Sequence, residues 1–503
     1  MVQEHHPIVI IGAGLAGIST AIALKKQLRT SDFTIYEKAS EVGGTWRDNT
    51  YPGCGSDVPG HWYSLSTELN PNWTSFYVSQ PEIQSYWVSL FHKYDLAANT
   101  VFNCAVVSAE WNDEAQVYKV TVEDSITGER KHTEAQVVVW AIGGFMRPAF
   151  PKDIPGRENF RGDVFHSALW RHDINLKGKR VGVIGNGCSA AQFVPEISKD
   201  ASVQVINFCR TPQWFVPKLQ FDYSPWVKWA FAYIPFTMRL YRNFLMARYD
   251  FRFMIFRKRN VGMIKVVTRE FRRYIKKRAP KEQHAKLIPT YPPGCKRIIV
   301  DPGYLDCLNQ ENVNVIWEGI DSIVENGIKL KTGEIVPLDI IIFGTGYSGD
   351  PDFTIRGRDG KSIQEYFQSQ GGPTAYLGTC VPGFPNLFTL LGPNTATGHA
   401  SVVFSEEVQI QYALQMIRPL LAGSVKSFEI RTEASAEYNR WLEKRLSESV
   451  WTECHSYYRV DGQMGKNVAT FPGPLTLFWW LCRTPRWDHF RIIGVERWRR
   501  ERR

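Results

Sequence analysis

The stretch PIVIIGAGLAG, residues 7–17, places an apolar run directly before the glycine pattern GxGxxG. Apolar positions at helical spacing follow over residues 18–28, and FTIY at 33–36 predicts a second strand that ends at Glu37. A strand, a glycine turn, a helix, a strand and an acidic residue in this order are typical of a dinucleotide-binding βαβ unit. An α/β fold is therefore predicted, the alternative being a glycine turn in an unrelated α/β unit.

The glycines and the acid of this unit have separate predicted tasks. Gly12 permits the tight turn, Gly14 lets the backbone approach a pyrophosphate, and Gly17 lets the helix and the strand pack closely. The helix N-terminus presents unpaired N–H groups to the phosphates. Glu37 is placed to accept hydrogen bonds from a ribose, so these four residues are predicted to bind the first nucleotide.

A second glycine turn follows a second apolar run, VGVIG at 181–185. Gly185, Gly187 and Ala190 give the pattern GxGxxA before a helical segment. By the same argument this unit is predicted to bind a second nucleotide. The residues assigned to that nucleotide are Gly185, Gly187, Ser189 and Gln192.

The strand after the second turn, VQVINF at 203–208, leads to Arg210 and Thr211 and not to an acid. A cation at the ribose position suits the 2′-phosphate of NADP(H) better than the free 2′-hydroxyl of NAD(H). The alternative is a surface arginine after a strand. Two such units imply two nucleotides, which are predicted to be FAD and NADP(H).

The length of 503 residues predicts two or three domains. VVVWAIGG at 137–144 and IIIFGTGY at 340–347 are typical of buried strands in parallel sheets. PGFPNLF at 382–388 predicts one more strand, and a helix is predicted at 404–421. The predicted fold is α/β, with two Rossmann-like dinucleotide-binding domains and an inserted helical segment. The predicted bounds are 1–145 for the first part of the FAD domain, 146–380 for the NADP domain with its insertion at about 221–290, and 381–503 for the second part of the FAD domain and a C-terminal tail.

The positive charge is concentrated in one segment. Residues 221–280 carry 15 Lys/Arg and 3 Asp/Glu, whereas the net charge of the whole chain is +10. The segment is predicted to be a helical layer buried on one face, and the alternative is a membrane-surface helix that collects apolar substrates. Nucleic acid is not an expected partner, since no recognised binding module accompanies the charge. The longest uncharged run, Trp229 to Met238, is too short to span a bilayer.

The nine cysteines are scattered without a CxxC pair. This argues against a disulfide scaffold and a structural zinc site, and it suits a reducing compartment. No His/Cys/Asp cluster suggests a metal, and no serine lies in a nucleophile elbow. The residues MVQEHHPIVI lack the pattern of a secretory signal. A cytoplasmic protein is predicted, with peripheral membrane association through 221–280 as the alternative.

FRGDVFHSALW, residues 160–170, resembles the fingerprint FxGxxxHxxxW of type I Baeyer–Villiger monooxygenases, and it lies between the two glycine turns as in that family. Further segments resemble the family in family order: EVGGTWRDNTYPG (41–53), CRTP (209–212), CKRIIVDPGY (295–304) and FPNLF (384–388). There are departures: Arg171 follows the fingerprint, GCGS precedes Asp57, and AIGG replaces the frequent ATG.

The resemblance implies an FAD- and NADPH-dependent monooxygenase that inserts one oxygen atom of O2 next to a carbonyl of a small apolar substrate, with secondary metabolism as one source of that substrate. The cofactors carry the chemistry of oxygen activation. Two alternatives use the same scaffold: an N- or S-oxygenating enzyme, and a hydroxylating or epoxidising one. A third alternative, from another class, is a nucleotide-binding protein without turnover.

The resemblance also implies two catalytic residues. Arg297 corresponds to the family's active-site arginine, whose fixed charge would keep the oxidant anionic and stabilise the oxyanion formed at a carbonyl. Asp57 would orient that arginine through paired hydrogen bonds, for which lysine lacks the planar fork. The alternatives are a structural salt bridge for Arg297 and a turn residue for Asp57.

The cofactor contacts that the resemblance implies fall into two groups. Lys296 would contact the 2′-phosphate together with Arg210 and Thr211. His166 and Trp170 lie in the connection between the domains and are given a conformational role. The residues implied to contact the flavin are Gly44, Thr45, Trp46, Asp48, Asp57 and Tyr63.

Overall fold

The apolar runs that flank the first glycine turn lie side by side in a parallel sheet. The computed structural model describes residues 4–349, 351–460 and 465–494. All residues of the three central strands are buried or nearly so, as a sheet covered on both faces requires. The five strands, in spatial order, are Leu387–Thr389, Val137–Trp140, Ile8–Ile11, Phe33–Tyr36 and Thr100–Val101.

A second parallel sheet carries the second glycine turn. Its strands, in spatial order, are Asp163–His166, Ile340–Phe343, Arg180–Ile184, Gln204–Phe208 and Val313–Ile316. The predicted pattern of two dinucleotide-binding sheets is thus confirmed. The apolar runs at 137–144 and 340–347, which were predicted to be buried strands, occupy interior positions of their sheets.

The remaining sheets are mixed or antiparallel, except for the parallel pair of Phe215–Pro217 with Ile299–Asp301. Thr354–Arg356 pairs with the long strand Cys104–Asn112, so it lies with the first unit although the sequence assigns it to the middle one. The mixed sheet is formed by Glu4–His5, Arg130–Ala135, Val117–Asp124, Cys104–Asn112 and Thr354–Arg356. The others are Ile320–Val324 with Gly327–Leu330 and Ile335–Pro337, Phe215–Pro217 with Ile299–Asp301, Arg147–Pro148 with Tyr347–Ser348, and Val425–Ile430 with Phe490–Gly494.

The helices surround these sheets. The longest described one, Val402–Leu421, begins two residues before the predicted start and packs on the first glycine helix. The helices outside the insertion are Leu15–Ala23, Thr45–Asp48, Gln80–Lys93, Cys188–Ile197, Tyr304–Cys307, Ile363–Ser369, Val402–Leu421, Thr432–Ser447 and Leu475–Cys482. The inserted helices are Pro225–Tyr233, Thr237–Phe251, Val261–Arg278 and His284–Leu287, which agrees with the predicted insertion.

The helical insert is anchored on the C-terminal third of the chain. The buried guanidinium of Arg242 donates to Glu407 at 3.1 Å, and Glu407 also accepts from the Ser66 N–H at 2.7 Å. Asp250 accepts from the N–H groups of Leu475 and Thr476, at 2.5 and 3.2 Å, and so caps the helix that starts there. Among the described residues, no helix combines the length and the apolar composition that a membrane span requires.

Candidate active site

The first glycine turn joins Ile8–Ile11 to Leu15–Ala23. Gly12 has φ +100°, a conformation that other residues rarely adopt, and a methyl group on Gly17 would overlap the carbonyl oxygen of Gly12. No described side chain caps this helix, which leaves its first N–H groups to a ligand. The turn is therefore a cradle for a phosphate group, and it fits the pyrophosphate of FAD.

The segment after the second strand closes over this turn. A methyl group on Gly44 would lie 3.1 Å from the Cα of Gly14, so the two backbones approach as closely as glycine allows. The short helix Thr45–Asp48 follows directly. The Trp46 indole donates to the Tyr63 hydroxyl at 3.2 Å, and the two rings meet edge to face. The structure thus brings together Trp46 and Tyr63, two residues that were assigned to the flavin and lie 17 positions apart in the sequence.

Glu37 lies at the turn, as predicted, and has a partner that the sequence did not suggest. Its carboxylate accepts from the Ala13 N–H at 2.7 Å and from Arg47 at 3.2 Å. Arg47 also pairs with Asp48 at 2.7 Å. The pKa of Arg47 is raised, because the charges of Asp48 and Glu37 outweigh its burial. Two of the three acids assigned to the first nucleotide, Glu37 and Asp48, are therefore held by one arginine.

The second glycine turn has the same build. Gly185 has φ +109°, and a methyl group there would meet the carbonyl of Gly344. A methyl group on Gly187 would meet no protein atom within 4 Å, and no described side chain caps the helix Cys188–Ile197. The space before this helix is thus open to a second pyrophosphate, and the turn fits NADP(H).

Three polar residues predicted for the 2′-phosphate come together from two distant segments. The Lys296 ammonium donates to Thr211 Oγ1 at 3.0 Å. Burial and the nearby charge of Arg210 lower the pKa of Lys296. Over the part of the chain that the structure describes, neither cation is paired with an acid. Two adjacent cations without a counter-ion form a site suited to an anion.

Arg297 and Asp57 meet where the first and second units adjoin. Arg297 donates through Nε at 2.9 Å and through Nη2 at 2.5 Å, both to Asp57 Oδ2, and its Nη1 reaches the Thr397 carbonyl at 3.4 Å. About a fifth of the Arg297 side chain and a quarter of Asp57 remain exposed, at 21% and 28%. The guanidinium is therefore oriented by the protein and still partly accessible.

The surroundings keep Arg297 positively charged. Its pKa is raised well above the usual value: burial acts to lower it, but Asp57, followed by Tyr458 and Tyr457, more than offsets this effect. Cys188, the first residue of the second glycine helix, faces the same guanidinium. A fixed positive charge thus lies beside the open end of the second nucleotide turn.

Gln192 differs in placement from the other residues assigned to the second nucleotide. Its amide oxygen accepts from the Tyr51 hydroxyl at 2.9 Å, and its amide nitrogen donates to the Gly55 carbonyl at 2.9 Å. Ser189 also contacts the Tyr51 hydroxyl. Both residues tie the second glycine helix to the loop that leads to Asp57, and their contact with NADP(H) stays a prediction.

His166 and Trp170 pack at the junction of the two units. His166 is buried, accepts from the Ala168 N–H at 3.1 Å, and has its pKa lowered by burial to about 4. Trp170 lies against Phe165 and Phe193. A neutral, packed histidine is suited to a structural task in the connection and not to acid–base chemistry.

The structure adds residues that the sequence analysis missed. Arg47 lies inside the segment quoted for the flavin, so its charge was visible there. Thr397 acts through its backbone carbonyl, which no side-chain pattern announces. Cys295 and Cys454 form a disulfide, whereas the other seven cysteines are free. The absence of a disulfide scaffold was predicted, but this single bridge, across 159 residues, was not.

The sequence of this chain is similar to a family model and to proteins of known description. A family model described as flavin-binding monooxygenase-like matches residues 5–355. A Baeyer–Villiger monooxygenase of Pseudomonas aeruginosa is 38% identical over 476 residues, covering 93% of this chain and 88% of that protein. The FAD-binding monooxygenase tazF of Aspergillus terreus is 33% identical, covering 96% and 89%.

A solved structure shares the fold along nearly the whole chain. The crystal structure of cyclohexanone monooxygenase from Rhodococcus sp. Phi1 bound to NADP+ superposes with a TM-score of 0.84 at 26% identity. The match covers 98% of this chain and all of that one. The arrangement of two nucleotide sheets is thus common to both proteins.

Proposed function

This chain belongs to the flavin-binding monooxygenase family, and from that premise we propose that it inserts one oxygen atom of O2 next to the carbonyl of an apolar ketone or aldehyde. The protein is an FAD-dependent, NADPH-using monooxygenase. In the proposed reaction a ketone, O2, NADPH and a proton give an ester or lactone, water and NADP+. One oxygen atom enters the ester and the other leaves as water.

The observation that carries the proposal is the Arg297–Asp57 pair at the mouth of the second glycine turn. Two N–H groups of Arg297 converge on one oxygen of Asp57, which fixes the plane of the guanidinium. Nη1 points to a backbone carbonyl at 3.4 Å, a long contact that leaves this nitrogen able to turn to a substrate oxygen. Such a donor stabilises negative charge that develops on a carbonyl oxygen.

The residues around the two turns hold the cofactors in this proposal. Gly12 and Gly14 would receive the pyrophosphate of FAD, Gly17 lets the helix pack against the turn, and Glu37 would bind the adenosine ribose. The second cofactor would be NADPH. Gly187 would receive its pyrophosphate, and Arg210 and Lys296 would bind its 2′-phosphate. Bound FAD, once reduced by NADPH, supplies the activation of O2.

Product identity tests the reaction. The purified protein would be incubated with NADPH, isotopically labelled O2 and a panel of apolar ketones, each offered beside a sulfide and a tertiary amine. We expect esters or lactones that carry one labelled oxygen atom. Exclusive formation of a sulfoxide or N-oxide would replace the proposal by heteroatom oxidation, and an alcohol or epoxide would replace it by hydroxylation or epoxidation.

Gly187→Ala tests the second nucleotide site. The added methyl group meets no protein atom within 4 Å, so the melting temperature and FAD content should be unchanged. It would occupy the space of the pyrophosphate and raise KM for NADPH by about tenfold, or ~1.4 kcal/mol. Gly262→Ala, also without a neighbour within 4 Å but in the helical insert, is the matched control. An unchanged KM in Gly187→Ala would contradict this placement of NADPH.

We further propose that the helical insert contacts an anionic membrane surface. The helix Pro225–Tyr233 contains no buried residue although its sequence is PWVKWAFAY. Its Trp226 and Trp229 stack on each other in the open, with ring centroids 4.6 Å apart. This helix, the next helix Thr237–Phe251 and the turn between them are here called the aromatic hairpin. Its exposed apolar residues are Trp226, Trp229, Tyr233, Ile234, Phe236, Leu240, Phe244 and Phe251.

Charge selects the occupant of this surface. Residues 221–280 carry 15 Lys/Arg and 3 Asp/Glu. Of these cations Arg242 is buried with Glu407, but the helix Val261–Arg278 has only Ile275 buried and exposes a basic face. Exposed Trp, Tyr and Phe beside Lys and Arg are typical of helices that lie in the interface of an anionic bilayer. Such a contact would place the enzyme where apolar substrates accumulate.

Vesicle binding tests this contact. The protein should sediment with vesicles of phosphatidylcholine and phosphatidylglycerol at low salt, and much less with phosphatidylcholine alone. Trp226→Ser combined with Phe236→Ser should weaken binding by about tenfold, or ~1.4 kcal/mol. Ile126→Ser, which removes an exposed apolar side chain from another face, should bind like the wild type. Wild-type protein that stays in the supernatant with both vesicles would overturn the proposal.

A further inference from the structure

The disulfide joins the two segments that flank the Arg297 guanidinium. Cys295 precedes Arg297 by two residues and is fully buried, and Cys454 precedes Tyr457 by three. After Asp57, Tyr458 and Tyr457 contribute most to raising the pKa of Arg297. The bridge therefore connects the arginine of the proposed oxygenation site to the aromatic wall opposite.

Weaker contacts close a ring around the same arginine. The Tyr458 carbonyl accepts from the N–H groups of Val468 and Ala469. The Ala469 carbonyl in turn accepts from Ala396 at 3.0 Å, next to Thr397, whose carbonyl faces Arg297. These backbone bonds hold the far end of the aromatic wall. The near end is held by the disulfide, by the buried side chain of Trp451, by the Arg459 guanidinium, which donates to the Thr452 carbonyl at 3.0 Å, and by the surface ion pair of Lys258 with Glu453.

We propose that the Cys295–Cys454 disulfide is a redox-sensitive positioning element of the oxygenation site, an inference that rests on the proposed function. When the bridge is intact, the buried Tyr458 is fixed close to Arg297 and narrows the access of water. When it is reduced, the segment around Cys454 keeps these other contacts but loses its covalent link to the segment of Arg297, so Tyr458 can shift relative to the guanidinium. More reducing equivalents of NADPH then leave as hydrogen peroxide and fewer as product.

The redox step balances with reagents that the enzyme meets. Two cysteine thiols and one hydrogen peroxide give the disulfide and two waters, through a sulfenic acid on the first sulfur. Hydrogen peroxide arises from NADPH, a proton and O2 when oxygenation fails. In the reverse direction a dithiol passes two electrons and two protons to the bridge and becomes a cyclic disulfide itself.

Thiol counting and limited proteolysis test the structural half. The holoenzyme, purified in air and then denatured, should show seven reactive thiols before and nine after treatment with dithiothreitol. In the native state, trypsin should cleave after Arg459 faster in the reduced protein. Nine thiols in the untreated protein, or equal cleavage in both states, would overturn the inference.

Coupling tests the functional half. With a converted ketone, the hydrogen peroxide released per NADPH should rise about three- to tenfold after reduction and removal of dithiothreitol, because a small misplacement near the reacting group has a large effect. Cys454→Ser should behave like the reduced wild type and should not respond to dithiothreitol. Cys104→Ser, which removes a buried free cysteine of the mixed sheet, should keep the wild-type response. If Cys454→Ser does not fold, the wild-type titration still decides.

The outcomes separate this inference from the proposed function. Unchanged coupling in fully reduced enzyme would refute the positioning role. Failure to convert any ketone in either redox state would count against the proposed function, and coupling would then be measured with whichever substrate the enzyme oxygenates. Thiol count and cleavage rate need no product at all, so they judge the bridge in either case.

Discussion

Arg297→Ala is expected to lower the rate of oxygenation by about 10²–10³-fold, the usual effect of removing one donor from a developing oxyanion. Flavin reduction by NADPH should persist, because Arg297 bonds to Asp57 and the Thr397 carbonyl and not to the 2′-phosphate cluster. NADPH would then be consumed with release of hydrogen peroxide. The measurement pairs anaerobic bleaching of the flavin absorbance with product analysis under O2.

Two variants separate the charge of the Arg297–Asp57 pair from its geometry, and a third is the control. Arg297→Lys keeps a positive charge but cannot send two planar N–H groups to Asp57 Oδ2, so it should recover only part of the activity. Asp57→Asn keeps the shape and removes the counter-charge, and it should also lose oxygenation. Arg180→Ala is the control: it breaks another Arg–Asp pair, with Asp339 at 2.8 Å, at the opposite end of the strand that leads to Gly185. Normal product formation by Arg297→Ala would exclude Arg297 from the reaction.

The parallel sheets could be predicted from the sequence because their signals are local. A buried strand, a glycine turn and an apolar helix lie within some 30 residues, and each segment reports its own burial. The strand Thr354–Arg356 has no such signal, since its partner is Cys104–Asn112 about 245 residues away. Its three residues alternate in burial, and only the distant partner selects their sheet.

The candidate site shows the same division. Arg297 and Asp57 lie 240 residues apart, and no spacing rule brings them together; the family resemblance supplied the pair. The disulfide lacked even that help, because none of the quoted segments contains Cys454. Arg47 was overlooked for another reason: its neighbours Trp46 and Asp48 were assigned to the cofactor, whereas the arginine pairs with Glu37 and Asp48, two acids that are predicted to contact it.

Arg210→Ala combined with Lys296→Met is expected to raise KM for NADPH by about 10²–10⁴-fold and to leave KM for NADH nearly unchanged. Each charge-assisted contact with a phosphate contributes ~1.5–3 kcal/mol, and a factor of ten corresponds to ~1.4 kcal/mol. Lys296 is already placed by Thr211 Oγ1 at 3.0 Å, so the site needs little rearrangement to receive the anion. The measurement is steady-state oxidation of each coenzyme at fixed ionic strength.

Two further observations make this prediction decisive. Burial, and then the repulsion of the nearby Arg210, lower the pKa of Lys296. A phosphate removes the repulsion, so the wild type should be more stable to heat with NADP+ than with NAD+. The double variant should lose that difference, whereas Lys177→Ala, an exposed cation of the same unit, should retain it. Equal changes in KM for both coenzymes would mean that the cluster supports the fold and does not read the 2′-phosphate, since only a contact with that group distinguishes NADPH from NADH.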